Sequence, residues 1–194
     1  EREGFEGLAT TRRYREVEGM AKVAGLKAEV VGRHGGGSRR EKLIASAERI
    51  LAMAELMEDW KPDLTIAFNS PEAARTSFGL GIPYLTVNDN PEVEAVAKLC
   101  VPLASKLFTP WIMPYKVWTR YGIAKDNIIR YRGLDPVAWL KDFKPREEVL
   151  EELGLSKDED IVVVRAEESK ASYLLDMALD PVPLASKWIP DLLR

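Results

Sequence analysis

Three times between residues 64 and 114 a short apolar run is followed within a few residues by a proline, twice across a polar turn: LTIAFNSP at 64–71, LTVNDNP at 85–91 and LFTPWIMP at 107–114. Proline has no N–H to give to a sheet ladder or a helix interior, but at the first helical position the missing N–H costs nothing. Each run therefore reads as a strand that ends in a turn and starts a helix. Strand and helix in alternation is the pattern of an α/β domain built on a parallel sheet. Strands are expected over 5–10, 28–31, 64–68, 84–87, 106–109, 127–131 and 161–165, several of them unbroken apolar runs of the kind covered on both faces.

Helices are expected over 13–23, 38–59, 71–79, 91–103 and 114–121, then over 146–153 and 168–179. The clearest is 38–59, where Leu43, Ile44, Ala47, Ile50, Leu51, Ala54 and Met57 return at helical spacing while Arg40, Glu41, Glu48, Glu55 and Glu58 fall elsewhere. That stripe is expected to pack on the sheet. The stretch GLDPVAWLKDFKPREEV, 133–149, with two prolines and a turn-forming Gly133, reads as an interdomain crossover. Beyond it, one strong strand and two helices are too few to bury both faces of a parallel strand. Glu1 in place of a methionine and an unfinished apolar pattern at PDLLR add to the expectation of a fragment. Its parts are a Rossmann-like domain over 1–132 lacking its first strand, a crossover over 133–146, and the truncated start of a second Rossmann-like domain over 147–194.

Charge and cysteine usage narrow the function. Lys plus Arg number 28 against 31 Asp plus Glu, a net charge of -3, which gives no global basic field for nucleic acid. Cys100 stands alone, which excludes an intrachain disulfide and a cysteine-based zinc site and fits a reducing compartment, with the thiol buried as a small apolar group. No apolar run approaches the roughly 20 residues that span a bilayer, and no signal-peptide pattern opens the chain, so a cytoplasmic location is expected.

Four segments carry the candidate chemistry. VVGRHGGGSRREK, 30–42, fails the P-loop and dinucleotide patterns, since Arg40 stands where the third glycine belongs. Ser38 and Glu41 instead form a Ser-x-x-Glu capping box. Gly35, Gly36 and Gly37 exceed what a cap needs and, with Arg39 and the helix start, suit an anion, while His34 is either structural or an acid–base group. Asn69, Ser70 and Glu72 follow a strand where ligands bind in open α/β sheets, although Ser70 with Pro71 also reads as a plain cap. In TVNDNPE, 86–92, Asp89 and Glu92 are the best acid–base candidates of the first domain, set in what is otherwise a turn. In VVVRAEESKASY, 162–173, Arg165 ends a strand beside a helix start, placed to hold phosphate or to pair with Glu167 or Glu168.

Taken together, GRHGGGSRREKLIASAERI, NSPEAARTSFGLGIP, TVNDNPE, LFTPW, RYRGLDPVAWLKDFKP and VVVRAEESKASY resemble an archaeal domain-of-unknown-function family. That family is itself similar to GT-B glycosyltransferases and non-hydrolysing UDP-N-acetylglucosamine epimerases. The resemblance spans about residues 7–176. It implies an α/β, GT-B-like fold: two Rossmann-like domains with a nucleotide-sugar cleft between them, the nucleotide held mainly by the second. The epimerases' strand-end His-Gly-Asp falls at Phe68-Asn69-Ser70, their next strand-end glutamate near Asn88 or Asp89, and Val164 stands where their histidine would be.

Nucleotide-sugar binding survives these substitutions better than any particular reaction does. The leading expectation is transfer of a sugar from a UDP-linked donor, with no cofactor and no bound metal. Asp89 or Glu92 takes the acceptor's proton and His34 lines the cleft. Gly35, Gly36, Gly37, Ser38, Asn69, Ser70, Arg165, Glu168 and Ser169 form the binding loops, with Arg165 and the helix starts at Ser38 and Ser169 facing the pyrophosphate. The alternatives are a nucleotide-sugar epimerase and a non-catalytic ligand-binding or assembly protein on the same scaffold. The acceptor is open, and so is a homo-oligomer.

Overall fold

A computed structural model describes residues 4–14, 17–146, 148–156 and 158–163. The chain divides into two compact units, Glu1–Tyr131 and Arg132–Arg194. In the first, strands β1 (Ala9–Arg13), β2 (Ala28–Arg33), β3 (Thr65–Phe68), β4 (Tyr84–Val87), β5 (Lys106–Pro110) and β6 (Ile128–Tyr131) alternate with helices α1 (Val17–Val23), α2 (Arg39–Trp60), α3 (Pro71–Leu80), α4 (Glu94–Cys100) and α5 (Lys116–Thr119). All pairing is parallel: β1 with β2 in one sheet, and β3-β4-β5-β6 in a second. The expected α/β alternation is therefore the observed one.

In the second sheet each strand lies beside its successor, so crossovers of one hand leave their helices on one face. Tyr84, Leu107 and Ile128, on the inward face of β4, β5 and β6, are buried in clusters with Ala73 and Ala74 of α3, Ala97 of α4 and Trp118 of α5. Trp118 is fully enclosed, its Nε1–H donating to Thr109 Oγ1 at 3.1 Å. The opposite face is less covered. Ile66, Phe68 and Ile129 are exposed among the described residues, so the expectation of strands covered on both faces holds for one face only.

Helix α2 also differs from its expected register. Its inward stripe is Ala45, Arg49 and Met53, one turn apart, while Leu43 and Leu51 of the expected stripe are exposed at 72% and 68%. Close packing decides this, because only Gly32 of β2, at φ 75°, lets the Arg49 stem approach: a Cβ on residue 32 would sit 2.9 Å from that of Arg49. Other boundaries move for local reasons. β1 is displaced toward the carboxyl end of its expected span. Pro91 does not open α4, because Asn88 and Asn90 side chains accept the N–H groups of Asn90 and Glu92 and hold residues 88–92 as turns until the helix begins at Glu94. α5 likewise starts at Lys116, after Pro114.

Cys100, at the end of α4, and Tyr84 are both buried in the cluster beneath α3. Burial pushes the Cys100 thiol up from 9.0 to about 12, with the Tyr84 hydroxyl partly offsetting it, and raises the Tyr84 phenol as well. A group that holds its proton more tightly when folded contributes stability that is complete below its unfolded value and is lost as pH rises toward the folded one. The unfolding free energy measured in urea is thus expected to fall from pH 9 upward by as much as about 1.4 kcal/mol per pH unit for the thiol. Between pH 9 and 10, before the unfolded tyrosine titrates, Cys100→Ala should flatten that slope; an unchanged slope would refute the assignment.

In the second unit, α6 (Asp135–Leu140) occupies part of the expected crossover, and α7 (Glu148–Glu152) lies inside the expected helix 146–153. Ile161–Val163 are not in a strand. The rest of the strand expected over 161–165 and the helix over 168–179, with Arg165, Glu168 and Ser169, lie outside the described residues.

Candidate functional site

Most of the expected residues lie in the loops that leave the carboxyl ends of β2, β3 and β4. After β2 the chain passes through His34, Gly35, Gly36 and Gly37 to Ser38, the cap of α2. Ser38 Oγ accepts the Glu41 N–H at 3.1 Å and donates to Glu41 Oε2 at 2.9 Å, so the capping box closes side chain to side chain. Gly35 is buried where the loop crosses the first turn of α2: a Cβ there would lie 2.4 Å from Lys42 Cα and 2.5 Å from Glu41 O. Gly36, at φ 71°, donates its N–H to His34 Nδ1 at 3.1 Å, which fixes Nδ1 as an acceptor. The His34 ring stacks on Tyr14 with centroids 4.3 Å apart. Gly35 thus serves packing, and Gly37, with nothing within 4 Å of its Cβ position, is the open glycine of the three.

At the four-stranded sheet, Phe68 and Val87 are paired, and the next residues, Asn69 and Asn88, leave the two strands together. Asn69 takes a left-handed turn, φ 51°, into the Ser70 cap, whose Oγ accepts the Ala73 N–H at 3.3 Å. Asn88 is 1% exposed; its N–H donates to Phe108 O and its Oδ1 accepts from the Asn90 N–H, both at 2.9 Å. Asp89 beside it is half-buried. Glu92 is exposed, 3.8 Å from the Arg120 guanidinium, which itself donates to Pro91 O at 2.9 Å and to the Tyr121 hydroxyl at 2.7 Å. Those bonds tie the turn after β4 to the end of α5.

Glu72, named with Asn69 and Ser70 from the sequence, and Arg49, which was not, link α3 to α2. Glu72, in the first turn of α3, is buried and accepts from Ser46 of α2 at 2.7 Å and from Ser70 at 3.3 Å. Arg49 is buried on α2. Burial lowers its pKa, the Glu72 charge raises it and Arg12 lowers it further. The signal for Arg49 lies in the spacing, one turn from Ala45 and one from Met53. Among the described residues no three His, Cys, Asp or Glu side chains cluster as metal ligands, and no helix is long and apolar enough to cross a membrane.

A parallel-sheet α/β unit with polar helix starts after its strands is Rossmann-like, and its likeness to solved structures makes the fold GT-B-like. Two solved structures share this fold. One, assigned as a UDP-N-acetylglucosamine 2-epimerase from Listeria monocytogenes, has a TM-score of 0.64 at 16% identity over 79% of this chain and 45% of its own. The other, UDP-GlcNAc 2-epimerase from Neisseria meningitidis bound to UDP-GlcNAc, has a TM-score of 0.55 at 15% identity over 75% of this chain and 43% of its own. The chain belongs to the DUF354 family of proteins of unknown function, whose pattern matches residues 1–182. It is 34% identical over 170 residues to the uncharacterized protein MJ0665 of Methanocaldococcus jannaschii, 85% of this chain and 49% of that one. The chain therefore spans about half the length of the curated relative it matches.

Proposed function

We propose that this chain supplies one wall of a nucleotide-sugar site and that the protein transfers the sugar from a UDP-linked donor to an acceptor. The observation that supports the reading is the register of β3 and β4, in which Phe68 pairs with Val87, so that the turns beginning at Asn69 and Asn88 start from neighbouring strand ends. A UDP-GlcNAc complex of the same fold supports the choice of ligand. Asp89 is the base that takes the acceptor hydroxyl's proton, with Glu92 as the second carboxylate of that turn. His34 borders the site, and Gly37 and Ser38 offer N–H groups and a helix start to the diphosphate. Neither a metal nor a cofactor has a part in this reading.

Epimerisation is the second reading, favoured by both similar solved structures. Product analysis of the full-length protein incubated with UDP-GlcNAc separates the two. Transfer releases UDP and a glycosylated acceptor, whereas epimerisation leaves an altered sugar on the nucleotide. In the transfer reaction Asp89→Asn is expected to lower kcat by about 100-fold or more, the usual contribution of a positioned base, with KM for the donor little changed. An unaltered kcat would remove Asp89 from the role.

A further inference from the structure

We infer that Tyr121 is a positioning residue for Asp89, acting through the backbone of Pro91; the inference rests on the reading of Asp89 as the base. Asp89 stands in the turn at residues 88–92, whose two ends are held in different ways. At the first end Asn88 is 1% exposed, its N–H donating to Phe108 O and its Oδ1 accepting the Asn90 N–H, both at 2.9 Å. The other end is Pro91, which has no N–H, so its carbonyl is the one backbone group by which the chain can be tied there. That carbonyl accepts twice, from the Tyr121 hydroxyl at 2.6 Å and from Arg120 Nη2 at 2.9 Å. Both of its lone pairs are thereby used.

Arg120 Nη2 also donates to the Tyr121 hydroxyl oxygen, at 2.7 Å, so the hydroxyl accepts from the guanidinium and sends its single proton to Pro91. The two donors are not equivalent. Tyr121 is 8% exposed and clusters in the core with Leu107, Trp118 and Ile128, whereas the Arg120 side chain is 47% exposed and also faces Glu92 at 3.8 Å. The buried phenol is the fixed anchor. Among the described residues nothing hydrogen-bonds to or pairs with the Asp89 carboxylate, so the backbone of the turn sets where it stands. A base must lie within hydrogen-bond reach of the proton it takes, and a misplacement of about 1 Å can cost about 100-fold in rate. Asp89 depends on the turn, and the turn depends on the Tyr121 hydroxyl.

The test follows UDP release from UDP-GlcNAc by the full-length protein and its Tyr121→Phe variant, which keeps the buried ring and removes the hydroxyl alone. The variant is expected to lose about tenfold in kcat with KM for the donor unchanged. In an Asp89→Asn background the same change is expected to have no further effect, because Tyr121 acts only through Asp89. An unaltered kcat, or a loss that persists in that background, overturns the positioning role. Amide hydrogen exchange is the second readout. Exchange at Asn90 and Glu92 is expected to quicken by about tenfold or more in Tyr121→Phe while the β4 amides keep their rates. UDP release with unchanged exchange at Asn90 and Glu92 removes Tyr121 alone. A parent that releases no UDP, whatever its exchange, removes the transfer reading and the positioning role with it.

Discussion

Gly35→Ala is expected to unfold the first unit or to lower its stability by several kcal/mol, because the added methyl collides with backbone at both nearest points. Lys42 Cα at 2.4 Å and Glu41 O at 2.5 Å belong to the first turn of α2, which cannot yield without breaking the Ser38 cap. Overpacking of a close-packed site typically costs about 1–3 kcal/mol, and contact with rigid helical backbone belongs at or beyond the upper end of that range. Gly37→Ala, two residues on, meets nothing within 4 Å and is the matched control, expected within about 0.5 kcal/mol of the parent. Chemical denaturation of the two variants decides the matter. Equal stabilities would mean that the loop does not cross α2 as described.

The second large effect is expected at Glu72. Its removal leaves Arg49 buried near Arg12 without its compensating carboxylate, and takes the acceptor from the Ser46 and Ser70 hydroxyls. A buried guanidinium loses a favourable opposite charge and two hydroxyls lose their acceptor, and each buried polar group left unsatisfied costs about 1–3 kcal/mol, whereas replacing buried charges by apolar groups is often neutral. Glu72→Ala should therefore be strongly destabilising, and Arg49→Met in the same chain should recover a large part of the loss. Denaturation of the two single variants and the double variant measures the coupling. Additive effects would show that the two residues do not share one electrostatic environment.

These two sites mark what the sequence did and did not disclose. The Ser38-x-x-Glu41 cap, Pro71 at the start of α3 and the strand runs are local signals, written in residues three or four apart, and they appear as expected. The expected α2 stripe failed because periodicity weighs side-chain type alone. A charged Arg49 was admitted to the core by a glycine 17 positions away on β2 and a carboxylate on α3. The turn at residues 88–92 was half legible: its Asn-Asp-Asn composition was plain, but the burial of Asn88 depends on β5, whose Phe108 carbonyl takes its N–H. That the β3 and β4 turns start side by side, from Phe68 paired with Val87, needed strand register, which no single segment carries.

We propose that a nucleotide-sugar binds at the loops that follow the β-strands of the first unit. Saturable binding of UDP-GlcNAc or another UDP-linked sugar to the full-length protein tests it most directly, with the bound ligand located by crystallography. One ligand per chain is expected, its sugar beside Asp89 at the ends of β3 and β4. Absence of saturable binding for every UDP-sugar tried, or a ligand bound away from those loops, would contradict it.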